Sequence, residues 1–141
     1  MSTLTSEAGQ AALRAALDKA REIGSPSSVA VLDGGRELLA FARMDGALLA
    51  SAEISQAKAY TARSLDCATR DVDVATQPGG PLYGLQTSHL AAGRSLVTFG
   101  GGVPITVDGQ VVGAVGVAGG TPDQDHEIAS AGAAAAGSAA G

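Results

Sequence analysis

The sequence is poor in aromatic and cationic side chains. Aromatic residues make up 3% of the 141 residues and tryptophan is absent, so the core must be built from Ala, Val, Leu and Ile. Nine Lys and Arg stand against 14 Asp and Glu, which gives a net charge of −5. Because nucleic-acid affinity depends mainly on clustered Lys and Arg, this balance argues against a nucleic-acid partner.

Cysteine and long apolar runs are also scarce. Cys67, the single cysteine, cannot close an internal disulfide, and no paired Cys/His spacing for structural zinc is present. No stretch approaches the roughly 18 apolar residues of a membrane span, and no basic segment followed by an apolar run opens the chain. We therefore expect a cytoplasmic protein without a membrane partner, folded as one domain over residues 1–141 with a frayed tail at 137–141.

Glycine, by contrast, is abundant, and many of the glycines flank one hairpin. Asp108-Gly109 predicts a tight turn, because β-branched residues alternate with other residues before and after it. Gly100, Gly101 and Gly102 precede the first strand of this hairpin. Without side chains the backbone there can approach a helix, another subunit or a ligand closely. The glycines therefore place a candidate ligand site beside the hairpin.

The remaining periodicity predicts helices on both sides of the strands. The predicted helices are Thr3–Ile23, Ser51–Ala68 and Pro122–Ala136, the further strands are Ser27–Leu32, Glu37–Ala42 and Ser95–Phe99, and Asp71–Gly93 is irregular. Tight turns rather than long crossovers connect most strands. The sequence therefore predicts an α/β fold in which an antiparallel sheet of about five strands is flanked by helices.

Lys58 is the polar residue of greatest interest on the second helix. Alanines surround it, so partial desolvation is expected to lower its pKa and to fit it to bind a carboxylate or act as an acid or base. A structural ion pair with Asp45 or Asp125 explains the same residue equally well. Arg43, at a strand end, either clamps a carboxylate with its fork of donors or is a solvated edge residue.

Five motifs in order resemble the GlcG/HbpS-like family, and the resemblance covers residues 4–133. They are Ala40-Phe41-Ala42-Arg43-Met44-Asp45-Gly46-Ala47, Lys58-Ala59-Tyr60-Thr61-Ala62, Pro81-Leu82-Tyr83-Gly84-Leu85-Gln86, Gly100-Gly101-Gly102-Val103-Pro104-Ile105, and Gly113 to Gly120 with Gln124-Asp125 and Ile128-Ala129. The resemblance implies a profilin-like α/β sandwich, a homo-oligomer between a dimer and an octamer, and, for some members, heme binding.

Heme iron takes His, Cys, Met or Tyr from a protein, and few such residues are present. His89, in the irregular segment, departs from the family pattern and is either a metal ligand or a solvent-facing loop histidine. His126 lies among acidic residues, as a surface histidine would, and Cys67 is typical of a small buried side chain. Met44 precedes a turn and is suited to filling the core beneath it.

Three functional hypotheses follow. The first is a small-molecule-binding oligomer whose ligand, by resemblance, is heme. The second is a cofactor-independent isomerase, lyase or cyclase acting on a small carboxylated or keto-bearing metabolite, with Lys58, Asp45 and Tyr83 as acid/base and binding groups. A purely structural or sensory partner is a third. The candidate ligand-binding residues are Arg43, Gln86, His89, Gly100, Gly101, Gly102 and Asp125, of which Gln86 and Tyr83 either contact a ligand or pin their loop to the sheet.

Overall fold

The computed structural model describes residues 3–88, 90 and 93–140. Its helices and strands are, in chain order, α1 (Ser6–Ile23), β1 (Ser28–Asp33), β2 (Leu38–Arg43), α2 (Ser51–Leu65), β3 (Gly102–Val107), β4 (Gln110–Ala118) and α3 (Pro122–Ala140). Short 3-10 turns at Thr69–Val72, Val74–Thr76 and Leu85–Thr87 interrupt the segment between α2 and β3. Among the helices of this part of the chain, none is long and apolar enough to cross a membrane.

The four strands form an antiparallel sheet in the order β2-β1-β4-β3. The predicted turn joins β3 to β4, and both of its residues have positive φ, 51° at Asp108 and 78° at Gly109. That conformation matches the twist of the flanking strands, which is why Asp-Gly is favoured there. The mixed α/β fold class with helices flanking an antiparallel sheet is thus confirmed.

The sheet separates two layers of helix. Alternate valines of the central strands pack with the alanine-rich helices α1 and α3; they are Val29, Val31, Val115 and Val117. On the opposite face, Leu32 and Ala114 pack with Ala59 and Ala62 of α2. The small-residue core expected from the lack of aromatics is therefore divided into two apolar layers, one on each side of the sheet.

Helix α2 lies very close to β4 because the strand has a glycine beneath it. A Cβ on Gly116 would overlap the carbonyl oxygen of Ser55 and would lie 2.5 Å from the amide nitrogen of Ala59. Only a residue without a side chain fits at that distance. Gly116 thereby fixes the height at which α2 and its functional side chains sit above the sheet.

The predicted strand Ser95–Phe99 is wrong, and the described residues hold four strands rather than about five. Backbone groups of this segment bond side chains instead of a neighbouring strand. The amide of Val97 donates to Thr61 Oγ1 of α2 at 2.9 Å, and the carbonyl of Phe99 accepts from Thr69 Oγ1 at 2.7 Å. These bonds hold the segment beside α2 and outside the sheet.

Candidate functional site

Lys58 and Asp125 form a buried ion pair at one end of the sheet. The Lys58 side chain is 1% exposed, and its Nζ donates to Asp125 Oδ2 and to the carbonyl of Val117, both at 2.9 Å. The same nitrogen lies 4.8 Å from the centre of the Phe99 ring. The ammonium is therefore enclosed by one carboxylate, one carbonyl and one aromatic face.

Asp125 is anchored from a second side. Its side chain is 3% exposed, and its Oδ1 accepts from the amide of Gly120 at 2.9 Å. The carboxylate also lies in the first turn of α3, where negative charge is favourable. Because Lys58 belongs to α2 and Asp125 to α3, the pair joins the two helix layers beyond the end of β4.

Burial lowers the pKa of the Lys58 ammonium, and the hydrogen bond that the ammonium donates to Asp125 opposes that shift. The direction agrees with the desolvation expected from the alanines around the residue. Of the two partners considered for a structural pair, Asp125 is the one that Lys58 contacts.

The three glycines around the start of β3 leave room for other atoms of the protein itself. A Cβ on Gly101 would lie 2.6 Å from Lys58 Nζ, and a Cβ on Gly100 would lie 2.6 Å from the carbonyl oxygen of Pro122 at the start of α3. Gly102 faces the backbone of Lys58 and the methyl group of Thr69. The space beside these glycines is filled by the lysine, by α3 and by Thr69.

The other residues predicted from the sequence lie away from this pair. Arg43 and Asp45 are exposed at the end of β2 and in the turn that follows. Tyr83 is exposed and Gln86 half-buried in the segment between α2 and β3. Neither Asp45 nor Tyr83 is among the groups that the buried lysine contacts within the described chain. His89 lies outside the described residues.

A cleft that the sequence did not predict opens on another face of α2. Its volume is about 460 Å³, which is within the usual range for small-molecule sites. Residues 53, 56, 57 and 60 of α2, the turn after β1 with the start of β2, and residues 93–95 line it. We call it the arginine cleft, after Arg36 and Arg94.

Tyr60 contacts both arginines of the arginine cleft. The guanidinium carbons of Arg36 and Arg94 lie 4.8 Å and 4.5 Å from the centre of the Tyr60 ring. Arg36 Nη1 also donates to Tyr60 Oη at 3.1 Å and to Ser64 Oγ at 3.2 Å. Two cations thus stack on one aromatic ring that is itself only 6% exposed.

Sequence comparison places the chain among known proteins. The family model described as "Haem degrading protein HbpS-like" matches residues 4–134. The chain belongs to the HbpS-like family. The resemblance to GlcG/HbpS-like proteins inferred from the five motifs is thereby confirmed.

The alignments with similar proteins extend over nearly the whole chain. An uncharacterised 15.0 kDa protein of Citrobacter freundii is 43% identical over 129 residues, 92% of this chain and 89% of its own length. The crystal structure of Klebsiella pneumoniae protein ORFY superposes with a TM-score of 0.90 at 39% identity, covering 96% of this chain and 92% of that one. A PduOC–heme complex has a TM-score of 0.86 at 36% identity and covers 95% of both chains.

Proposed function

We propose that this HbpS-like protein binds heme. The observation that carries the proposal is the likeness to the PduOC–heme complex, which extends over 95% of each chain. The description of the matched family as haem-degrading supports it. Since a fold alone does not determine function, the residues of this chain must also suit the group.

The arginine cleft suits heme, which is a flat apolar ring with two carboxylate arms. The apolar part of its lining comes from Leu32, Leu38, Ala57 and the Tyr60 ring. Arg36 and Arg94 supply cations for the carboxylates. When bound, heme would supply an iron centre with open coordination chemistry. The residues of this chain would hold the heme ring, pair with its carboxylates and exclude water from one of its faces.

Our proposed iron ligand is His89. It lies outside the described residues, but it stands four positions before Gly93, which lines the arginine cleft. Of the side-chain types that ligate heme iron, the described lining of the cleft contains Tyr60, which is the alternative iron ligand there.

His126 is a further alternative, and it is not part of the cleft lining. Its buried Nδ1 has no hydrogen-bond partner among the described residues. Burial and the neighbouring Arg70 lower its pKa, which favours the neutral imidazole that binds metals.

Hemin titration tests the proposal. We expect a change in the Soret band that saturates near one heme per chain. With His89→Ala, the final Soret band should lie at a different wavelength from that of the unchanged protein. His126→Ala tests the further alternative and should leave the spectrum unchanged if His89 is the ligand. A titration without saturation contradicts heme binding, whereas an unchanged His89→Ala spectrum contradicts only the ligand assignment.

We further propose that the protein is a single HbpS-like domain that works in the cytoplasm as a homo-oligomer, takes a small molecule as its partner and does not bind nucleic acid. Exposed apolar side chains support the assembly, among them Leu48, Leu49 and Val74, of which Leu49 is 87% exposed. Light scattering should give a multiple of the 13.7 kDa chain mass, and a monomer mass at micromolar concentration contradicts the proposal.

A further inference from the structure

We propose that Arg36 and Arg94 bind the two carboxylates of a flat, apolar ligand that lies in the arginine cleft. This inference rests on the proposed heme function and assigns the residues that hold the carboxylate arms. It begins from the unused donors of the two arginines. Within the described ranges, neither guanidinium lies within 4 Å of a carboxylate.

The hydrogen-bonding capacity of both arginines is largely free. Arg36 uses Nη1 for Tyr60 and Ser64, and its Nε and Nη2 have no acceptor in the described part of the chain. Arg94 stacks on Tyr60 and donates no hydrogen bond to a described residue. A guanidinium that stacks on a ring keeps the donors at its edge available for a carboxylate. Each arginine can therefore bind one carboxylate in bidentate fashion.

The position of Arg36 is fixed before any ligand arrives. The residue has φ 66° in the turn between β1 and β2, and its side chain is held by hydrogen bonds to two residues of α2. A third contact ties the same turn to α2, since Arg63 Nε donates to the carbonyl of Gly34 at 2.8 Å. Less side-chain freedom is then lost on binding, which favours affinity.

Two carboxylates of the protein narrow the class of ligand. Glu37 and Glu53 also line the cleft, so its four charged side chains sum to zero. A polyphosphate would bring more negative charge than the two arginines neutralise and would be repelled by the glutamates. A ligand with two separate carboxylates and an uncharged body brings one negative charge for each arginine, so the glutamates repel it less than a polyphosphate.

Binding measurements with three porphyrins test this assignment. Hemin carries two carboxylates and iron, metal-free mesoporphyrin carries the carboxylates alone, and mesoporphyrin dimethyl ester carries neither free carboxylate nor iron. We expect hemin and mesoporphyrin to bind the unchanged protein, and the dimethyl ester to bind at least about tenfold more weakly, a difference of about 1.4 kcal/mol.

Substitutions identify the residues responsible. Arg36→Gln and Arg94→Gln should each raise the Kd of mesoporphyrin about tenfold and leave that of the dimethyl ester unchanged. Arg14→Gln is the matched control, because Arg14 is exposed on α1 and does not line the cleft. It should change either Kd less than twofold. Circular dichroism checks folding, and Arg36→Lys, which keeps the charge without the fork, replaces Arg36→Gln if that variant unfolds.

The outcomes separate the two proposals. If hemin binds and neither arginine substitution weakens it relative to Arg14→Gln, the carboxylate assignment is overturned and heme binding stands. If mesoporphyrin binds through the arginines and hemin does not, heme binding is overturned and the cleft assignment stands. If neither porphyrin binds the unchanged protein, both are overturned.

Discussion

Removing one partner of the Lys58–Asp125 pair is expected to destabilise the fold severely. Lys58→Met keeps most of the apolar stem but leaves the Asp125 carboxylate buried with only the Gly120 amide. Breaking such a pair costs about 3–5 kcal/mol, because the remaining charge stays desolvated. With an unfolding entropy of about 2.1 cal/mol/K per residue, a chain of this length would lose roughly 10–17 °C of Tm.

Urea denaturation followed by circular dichroism measures the effect, at one protein concentration because assembly alters apparent stability. Lys19→Met is the matched control: Lys19 pairs with Glu22 and Glu127 on the surface, where solvent screens an ion pair and its contribution to stability is small.

A double variant shows whether the loss comes from the pair. Lys58→Met with Asp125→Leu removes both charges and should recover about 1–3 kcal/mol relative to the sum of the single losses. If Lys58→Met is no more damaging than Lys19→Met, or if the two losses simply add, the pair is not the structural link between α2 and α3 that we describe.

Three further predictions concern other parts of the molecule. Gly116→Ala should prevent α2 from packing on β4 and lower the free energy of unfolding by more than about 3 kcal/mol. Gly35→Ala is the control, because its Cβ would meet only an ordinary contact, and it should lower that free energy by less than about 1 kcal/mol. Equal urea midpoints for the two variants contradict this prediction. Because the pKa of His126 is lowered, its stabilising contribution is full above about pH 6.5 and is lost as the pH falls. His126→Asn should make the urea midpoint depend less on pH below about pH 6.5. An unchanged dependence on pH refutes the assignment to His126. Burial and two aspartates raise the pKa of the Cys67 thiol, so it should react with a disulfide reagent at pH 8 more slowly than glutathione does.

The local features of the fold could be predicted from the sequence where turn chemistry and periodicity agree. Asp108-Gly109 closes the predicted hairpin, and α1 ends at Ile23, the last residue of the predicted helix. The prediction of a strand at Ser95–Phe99 was wrong, because a short apolar stretch has the same sequence pattern whether its amides bond a strand or a helix side chain.

The candidate site was only partly accessible to sequence reasoning. The alanines around Lys58 single it out in the sequence, and Asp125 is one of the two carboxylates that the sequence predicts as its partner. The arginine cleft could not be predicted from the sequence. Arg36 has the sequence context of a turn residue, Tyr60 has that of a helical core residue, and Arg94 precedes a predicted strand. Tertiary packing alone brings these three side chains together.

A crystal structure of the protein grown with hemin tests the account most directly. We predict one porphyrin in the arginine cleft, with its carboxylates on Arg36 and Arg94. A porphyrin bound at the Lys58–Asp125 end of the sheet, or held elsewhere with both arginines unoccupied, would contradict the account.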